Sequence, residues 1–432
     1  MKKYYHKRLN ERYYIEVLEN GLTLYLFPKP KYTTTIGYFI TKFGSCDIEF
    51  VPSDKQEFYK APRGVAHFLE HKLFESSDDL DPCEVFEQLG ATYNAFTSLD
   101  RTVYYFSTTS KVKECIDNLL NLVQHAHFTE SSVNKEKSII MQEIHMHANN
   151  STNEVYNCLT RNMYFSHPCQ YEIGGTNESV NAITADDLYT CYNTFYHPSN
   201  MALIIVGNID IDEIHQFVVQ KEAKLNIKPQ KKIIRKEYHE ECKIVNKDTS
   251  SNFNVVTPKV GCGIKIDMNN VNKIQHYKDI NLINRFLDYY FDETSSFYKR
   301  MEQEEILDQS FTYGFDDGED YFYLYFIANT NKVEAFKENL IKEFKAIRED
   351  TFPVEHFIRQ KKLILHANIS KYNNIEYIGT TLCNMFINNM ELFEGSDIKE
   401  NLNVEDMRHL SSYIKEDMVT FHTLYPINKK VE

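Results

Sequence analysis

Tryptophan is absent, no CxxC pair occurs, and no apolar run approaches the ~18 residues that a membrane-spanning helix needs. The opening MKKYYHKRLNERYY is charged and lacks the apolar core, about 7–15 residues long, of a secretory signal. Nine cysteines are scattered from Cys46 to Cys383. Their odd number and spacing do not make a disulfide framework, and a reducing compartment suits them better. These absences set the expectation of a soluble, cytoplasmic protein with no membrane association. A basic balance is missing too: 48 Lys and Arg face 62 Asp and Glu, for a net charge of −14. A nucleic-acid partner is therefore not expected, while an acidic surface mildly favours cationic peptides.

What is present is bulk and alternation. At 432 residues the chain exceeds one ordinary core, so two or more domains are expected. Thirty Tyr and 29 Phe supply much of their apolar filling. Strands are expected over 20–30 and 33–45, with a hairpin over 91–110 that turns at Ser98-Leu99-Asp100-Arg101. Helices are expected over 65–74, over 81–89 with Gly90 as its stop, over 131–147 and over 188–195. The stretch 113–124 is amphipathic, with Ile116, Leu119, Leu120 and Val123 on one face. NMALIIVGNID (200–210) reads as an apolar strand. Hairpins in place of regular βαβ alternation indicate an α+β fold with largely antiparallel sheets packed with helices.

Around 221–241 the apolar pattern fades and charges crowd, which marks a linker. The second half echoes the first: Phe128 falls on Phe352, Lys137 on Lys361, Ile139 on Leu363 and Ile140 on Ile364, each at an offset of 224 (352 − 128). Such an echo suggests two copies of one domain, with residues 1–220 and 242–432 on either side of the linker.

AHFLEHKLFE (66–75) places His67 and His71 four residues apart. On a helix they lie about 40° apart, so both imidazoles reach one point, and Glu70 points to nearly the same side. A catalytic zinc takes three protein ligands and keeps a fourth position for water. The bland alternative is a polar helix face with no ligand. A third ligand has to come from another element. The 131–147 helix offers Glu136 and Glu143, two turns apart on a stripe that also holds Ile140 and His147, with His145 off it. His125 and His127 fall at the end of another helix, where the dipole favours a cation.

PRGVAHFLEHKLFE resembles the inverted zinc motif of the pitrilysin/insulinase metallopeptidases, the inverzincins. Other stretches match in the same order over most of residues 15–210. GATYNAFTSLDRTVYY is similar to the family's substrate-side edge strand, EKSIIMQEI to its distal glutamate helix, and YHPSNMALIIVGNID to the strand that closes its first domain. HKLFE, NAFTS and FYHPSNM most resemble the short, processing-peptidase-like members of the bacterial YmfH type. The resemblance implies Zn2+ held by His67, His71 and Glu143, with Glu70 as the general base and Glu136 supporting the catalytic site. It also implies that Asn94, with Ala95 and Phe96 beside it, binds a peptide substrate by strand addition.

The same family has a duplicated architecture with a metal-free second copy. Here, at the offset of 224, Glu136 falls on Gln360 and Glu143 on Ala367, and no HxxEH follows residue 71. The family's Arg–Tyr pair, seven residues apart, which holds substrate and oxyanion, is missing. In FYKRMEQEEILDQSFTYGF (297–315), Arg300 is followed at seven residues by Leu307, and Tyr313 is preceded at seven by Ile306. The expected function is a zinc metalloendopeptidase acting on peptides or leader segments inside a chamber. The expected assembly is a heterodimer with a related subunit that carries the Arg–Tyr pair, and a homodimer is the competing arrangement. The competing function is a non-catalytic peptide-binding or structural subunit.

Overall fold

The computed structural model describes residues 1–75, 81–269 and 271–427. Among the described residues nine strands precede residue 208: β1 (Lys2–His6), β2 (Glu11–Val17), β3 (Thr23–Pro28), β4 (Thr35–Thr41), β5 (Glu49–Phe50), β6 (Tyr59–Lys60), β7 (Thr92–Thr97), β8 (Thr102–Thr108) and β9 (Met201–Gly207). β5 and β6 form a small ribbon, and the other seven form one sheet in the order β1-β2-β3-β9-β4-β8-β7. Only the β3–β9 pairing in that sheet is parallel. Every residue of β4 (TIGYFIT) and β9 (MALIIVG) is buried. Their near-continuous apolar runs suit central strands covered on both faces. β7 alternates exposed and half-buried residues and lies at the sheet edge.

Five strands follow: β10 (Asp248–Phe253), β11 (Lys259–Lys265), β12 (Thr312–Asp317), β13 (Phe322–Asn329) and β14 (Val419–Pro426), in the order β10-β14-β11-β13-β12. Again one pairing, β10–β14, is parallel and the rest are antiparallel. The run β3-β9-β4-β8-β7 in the first sheet has this same connectivity and strand direction. The fold is thus α+β with two topologically matched halves. The echo in sequence falls on corresponding helices, Glu130–Ala148 and Val354–Ser370, whose starts are 224 residues apart (354 − 130).

By internal contacts the chain forms two compact units that are not contiguous in sequence. The first comprises Met1–Ile144, Glu172–Glu237 and Ala367–Glu394, and the second His145–Tyr171, Tyr238–His366 and Gly395–Glu432. This differs from a division into residues 1–220 and 242–432, for a packing reason. Helix Ser151–Met163, from the first half of the sequence, packs on β11 and β14. Helix Ile375–Ile387, from the second half, packs on β4 and β9. Each sheet is covered by a helix from the other half of the sequence.

The stretch 221–241 is not a loose connector. Its first residues end helix Ile211–Lys224, where buried Glu222 accepts from Asn20 and Gln124. Arg235 pairs with Asp47 at 2.6 Å. Glu240 accepts the backbone N–H groups of Phe165, Ser166 and His167 and a bond from Lys265 at 2.8 Å. The crowded charges have partners that lie elsewhere in the sequence, which is why the stretch reads as a linker.

Burial would raise the pKa of Glu240, but Lys265 and the three amides outweigh it and hold the carboxyl at about 2. A depressed carboxylate stabilises fully above its ordinary pKa and loses that contribution as pH falls through the folded value. Glu240→Gln is therefore expected to destabilise the second unit by about 1–3 kcal/mol at pH 7. The difference from the parent chain should shrink between pH 4.5 and about 2. Urea unfolding at pH 7 and pH 3 measures both.

Candidate metal centre and catalytic site

The site begins at a close approach of two loops. Gly64 enters helix α1 (Val65–Leu73) at φ 88°, a conformation that L side chains rarely adopt. A Cβ on Gly64 would lie 2.5 Å from the Gly174 carbonyl oxygen, and one on Gly175 (φ 77°) would lie 2.6 Å from that of Arg63. The backbones touch where side chains would hold them apart. The 172–175 loop thereby flanks His67, whose Nδ1 is 3.7 Å from where a Cβ on Gly174 would stand.

Val65, Ala66, Phe68, Leu69, Lys72 and Leu73 are buried and fix the rotation of α1. His67, Glu70 and His71 project from the remaining, half-buried side. Opposite them runs the Glu130–Ala148 helix, with Val133, Glu136 and Ile140 buried and Glu143 half-buried two turns beyond Glu136. One oxygen of Glu143, Oε2, lies 3.7 Å from His67 Nε2 and 3.5 Å from His71 Nε2. The ligand atoms of His67, His71 and Glu143 all lie within 4.8 Å of one another, and no other such group occurs among the described residues.

Ligands ~2.0–2.2 Å from a tetrahedral zinc are about 3.3–3.6 Å apart. The observed separations are close to that range, and two imidazole nitrogens with one carboxylate leave a fourth direction open. The residues present therefore fit a catalytic zinc. They do not fit a closed structural site, which would need a fourth ligand.

Electrostatics point the same way. Glu136 Oε1 meets the other ring nitrogen of His71, Nδ1, at 3.0 Å. A carboxylate there fixes the Nδ1–H tautomer and leaves the Nε2 lone pair for a ligand. Burial works against a charged His71, but the Glu136 hydrogen bond and the charges of Glu136, Glu143 and Glu70 outweigh it and raise its pKa. The His71 bond in turn holds the Glu136 carboxyl below its usual range in spite of burial. Three carboxylates around one ring mark a site that favours a cation.

Burial raises the pKa of Glu70, opposed by hydrogen bonds from Thr97 and the charge of His71 and reinforced by Glu143. Thr97 Oγ1 donates to Glu70 Oε2 at 2.6 Å. Thr97 closes β7, the strand that carries Asn94, Ala95 and Phe96. Asn94 and Phe96 are exposed, and Ala95 is half-buried. The Ala95 N–H donates to the Asn94 side chain at 2.8 Å, so this amide points away from the ladder with β8, toward the open edge.

His145 and His147 are exposed beyond Glu143, and His125 and His127 are exposed after helix Val112–Gln124. Arg300 pairs with Glu343 at 2.9 Å, and the Tyr313 hydroxyl donates to Asp288 at 3.0 Å, so both are engaged within the second unit. Sequence reasoning missed Thr97 as a partner of Glu70. The only signal was its place at the end of NAFT, because the contact between α1 and β7 is tertiary.

Comparison with known proteins adds an independent line. Residues 59–177 match the family model for insulinase (peptidase family M16), and residues 182–364 match that for the peptidase M16 inactive domain. The chain is 34% identical to the uncharacterized zinc protease YmfH of Bacillus subtilis (strain 168), over 98% of each chain. It is 27% identical to the mitochondrial-processing peptidase subunit beta of Bos taurus, over 46% of this chain and 39% of that one. Among solved structures, an M16-like peptidase from Alicyclobacillus acidocaldarius superposes with a TM-score of 0.89 at 31% identity, covering 96% of this chain and 98% of the other.

Proposed function

The chain belongs to the insulinase (peptidase M16) family, and from that premise we propose that it is a zinc-dependent endopeptidase cleaving peptides or leader segments. The observation that carries this reading is the convergence of His67 Nε2, His71 Nε2 and Glu143 Oε2 on one point beside Glu70. Zinc held there would act as a Lewis acid on the scissile carbonyl and make water a competent nucleophile near neutral pH. Glu70 takes the proton of the attacking water and returns it to the leaving amine. Glu136 orients His71. A peptide adds to the open edge of β7, where the Ala95 amide exchanges its bond to Asn94 for one to the substrate backbone.

The proposed assembly is a heterodimer whose second, related subunit supplies the oxyanion-binding Arg–Tyr pair and encloses the peptide in a chamber. Two observations support it: Arg300 and Tyr313 are both engaged elsewhere, and related chains are named as subunits of the mitochondrial-processing peptidase. The proposed setting is the cytoplasm. Among the described residues no helix is long and apolar enough to cross a membrane.

The test is cleavage of a mixed peptide library by the zinc-loaded chain, alone and with a related subunit that co-purifies with it. One oxyanion donor contributes about 10²–10³ in rate. The chain alone should therefore be at least ~100-fold slower than the pair. Equal rates would replace the heterodimer with a self-sufficient homodimer.

A further inference from the structure

We propose that Thr97 is the positioning residue of the general base: its hydroxyl holds Oε2 of Glu70 and leaves Oε1 to take the proton. This rests on the peptidase reading and deepens it. The hydroxyl bond to Glu70 Oε2 is 2.6 Å long. A carboxylate on a helix has rotational freedom about its own side chain. A short bond from a strand residue restrains it, and the geometry is set before a substrate arrives.

Thr97 is itself held. It faces Thr102 directly across the β7–β8 hairpin, with the two hydroxyl oxygens 3.4 Å apart. Thr102 is buried and donates to the Phe43 carbonyl at 2.9 Å. Behind it the buried Tyr104 and Tyr196 hydroxyls meet at 2.9 Å. A line of hydroxyls thus runs from the core to the base. Because Thr97 ends the strand on which a peptide would dock, the element that receives the substrate backbone is also the one that aims Glu70. A displacement of β7 would misalign both together.

Two measurements test this, one with metal and one without. In the active, zinc-loaded enzyme, Thr97→Val keeps the branched shape and strand preference but removes the hydroxyl. It should lower kcat about 10–100-fold, leave KM and zinc stoichiometry unchanged, and be largely rescued by Thr97→Ser. A kcat within about twofold of the parent would overturn the proposal. In the metal-free chain, hydrogen exchange of the Thr97 hydroxyl, followed by NMR, should accelerate about tenfold or more in Glu70→Ala. Unchanged exchange would show that the carboxylate is not held there and would also overturn it. If the parent enzyme, assembled with its related subunit, binds zinc but cleaves nothing, the peptidase reading fails, and the exchange experiment still decides whether Thr97 holds Glu70.

Discussion

Glu70→Gln is expected to lower kcat by about 10²–10⁴ while zinc remains bound at one equivalent. Gln has nearly the volume of Glu and can still accept from Thr97 Oγ1, so the fold of α1 and the three ligand side chains should be untouched. What it cannot do is take a proton from water. Glu70 projects from α1, while the peptide edge belongs to β7, so KM should change little. The loss then belongs to the chemical step, the pattern of an interaction made only in the transition state. Steady-state kinetics with metal analysis on the same sample checks it. A variant with a kcat within about tenfold of the parent would remove Glu70 from the base role.

Substitutions at the zinc ligands are expected to act earlier, on the metal itself. His67→Ala, His71→Ala and Glu143→Gln each leave two of three donors, and none should retain stoichiometric zinc against a competing chelator. Glu136→Gln is a graded case. It keeps the three ligands but weakens the acceptor at His71 Nδ1, so zinc affinity should fall about 10–100-fold. The parent chain should gain about 4 kcal/mol of stability at free zinc a thousandfold above Kd, and His67→Ala should gain none. Zinc binding should also weaken as pH falls through the raised pKa of His71, because the metal and the proton compete for Nε2. Chelator competition and thermal melts with and without zinc separate the ligand variants from Glu136→Gln.

Much of this site is written locally. A helical period of 3.6 puts residues four or seven apart on one face, so His67 with His71, and Glu136 with Glu143, could be paired by counting. Counting could not show that the two Glu side chains divide the nitrogens of His71, with Glu136 at Nδ1 and Glu143 at Nε2. It also could not show Thr97 beneath Glu70. Both depend on how separate elements pack.

The fold divides in the same way. Buried strands β4 and β9 stand out as apolar runs, and the echo at 224 residues falls on matching helices. The exchange of helices Ser151–Met163 and Ile375–Ile387 between the units leaves no local mark, because an apolar helix face does not say which sheet it will cover. The charged stretch 221–241 misleads for a related reason. Asp47, Asn20, Gln124 and Lys265, which satisfy its charges and amides, are distant in sequence.

The most direct test of the central claim is a zinc titration of peptide cleavage. The enzyme, with its related subunit if one co-purifies, is stripped of metal, and zinc is returned stepwise while library cleavage is followed. The account predicts that stripping abolishes cleavage, that activity returns in proportion to zinc up to one equivalent, and that His67→Ala recovers none. Cleavage that survives complete metal removal, or one bound equivalent with no cleavage in the assembled enzyme, would contradict it.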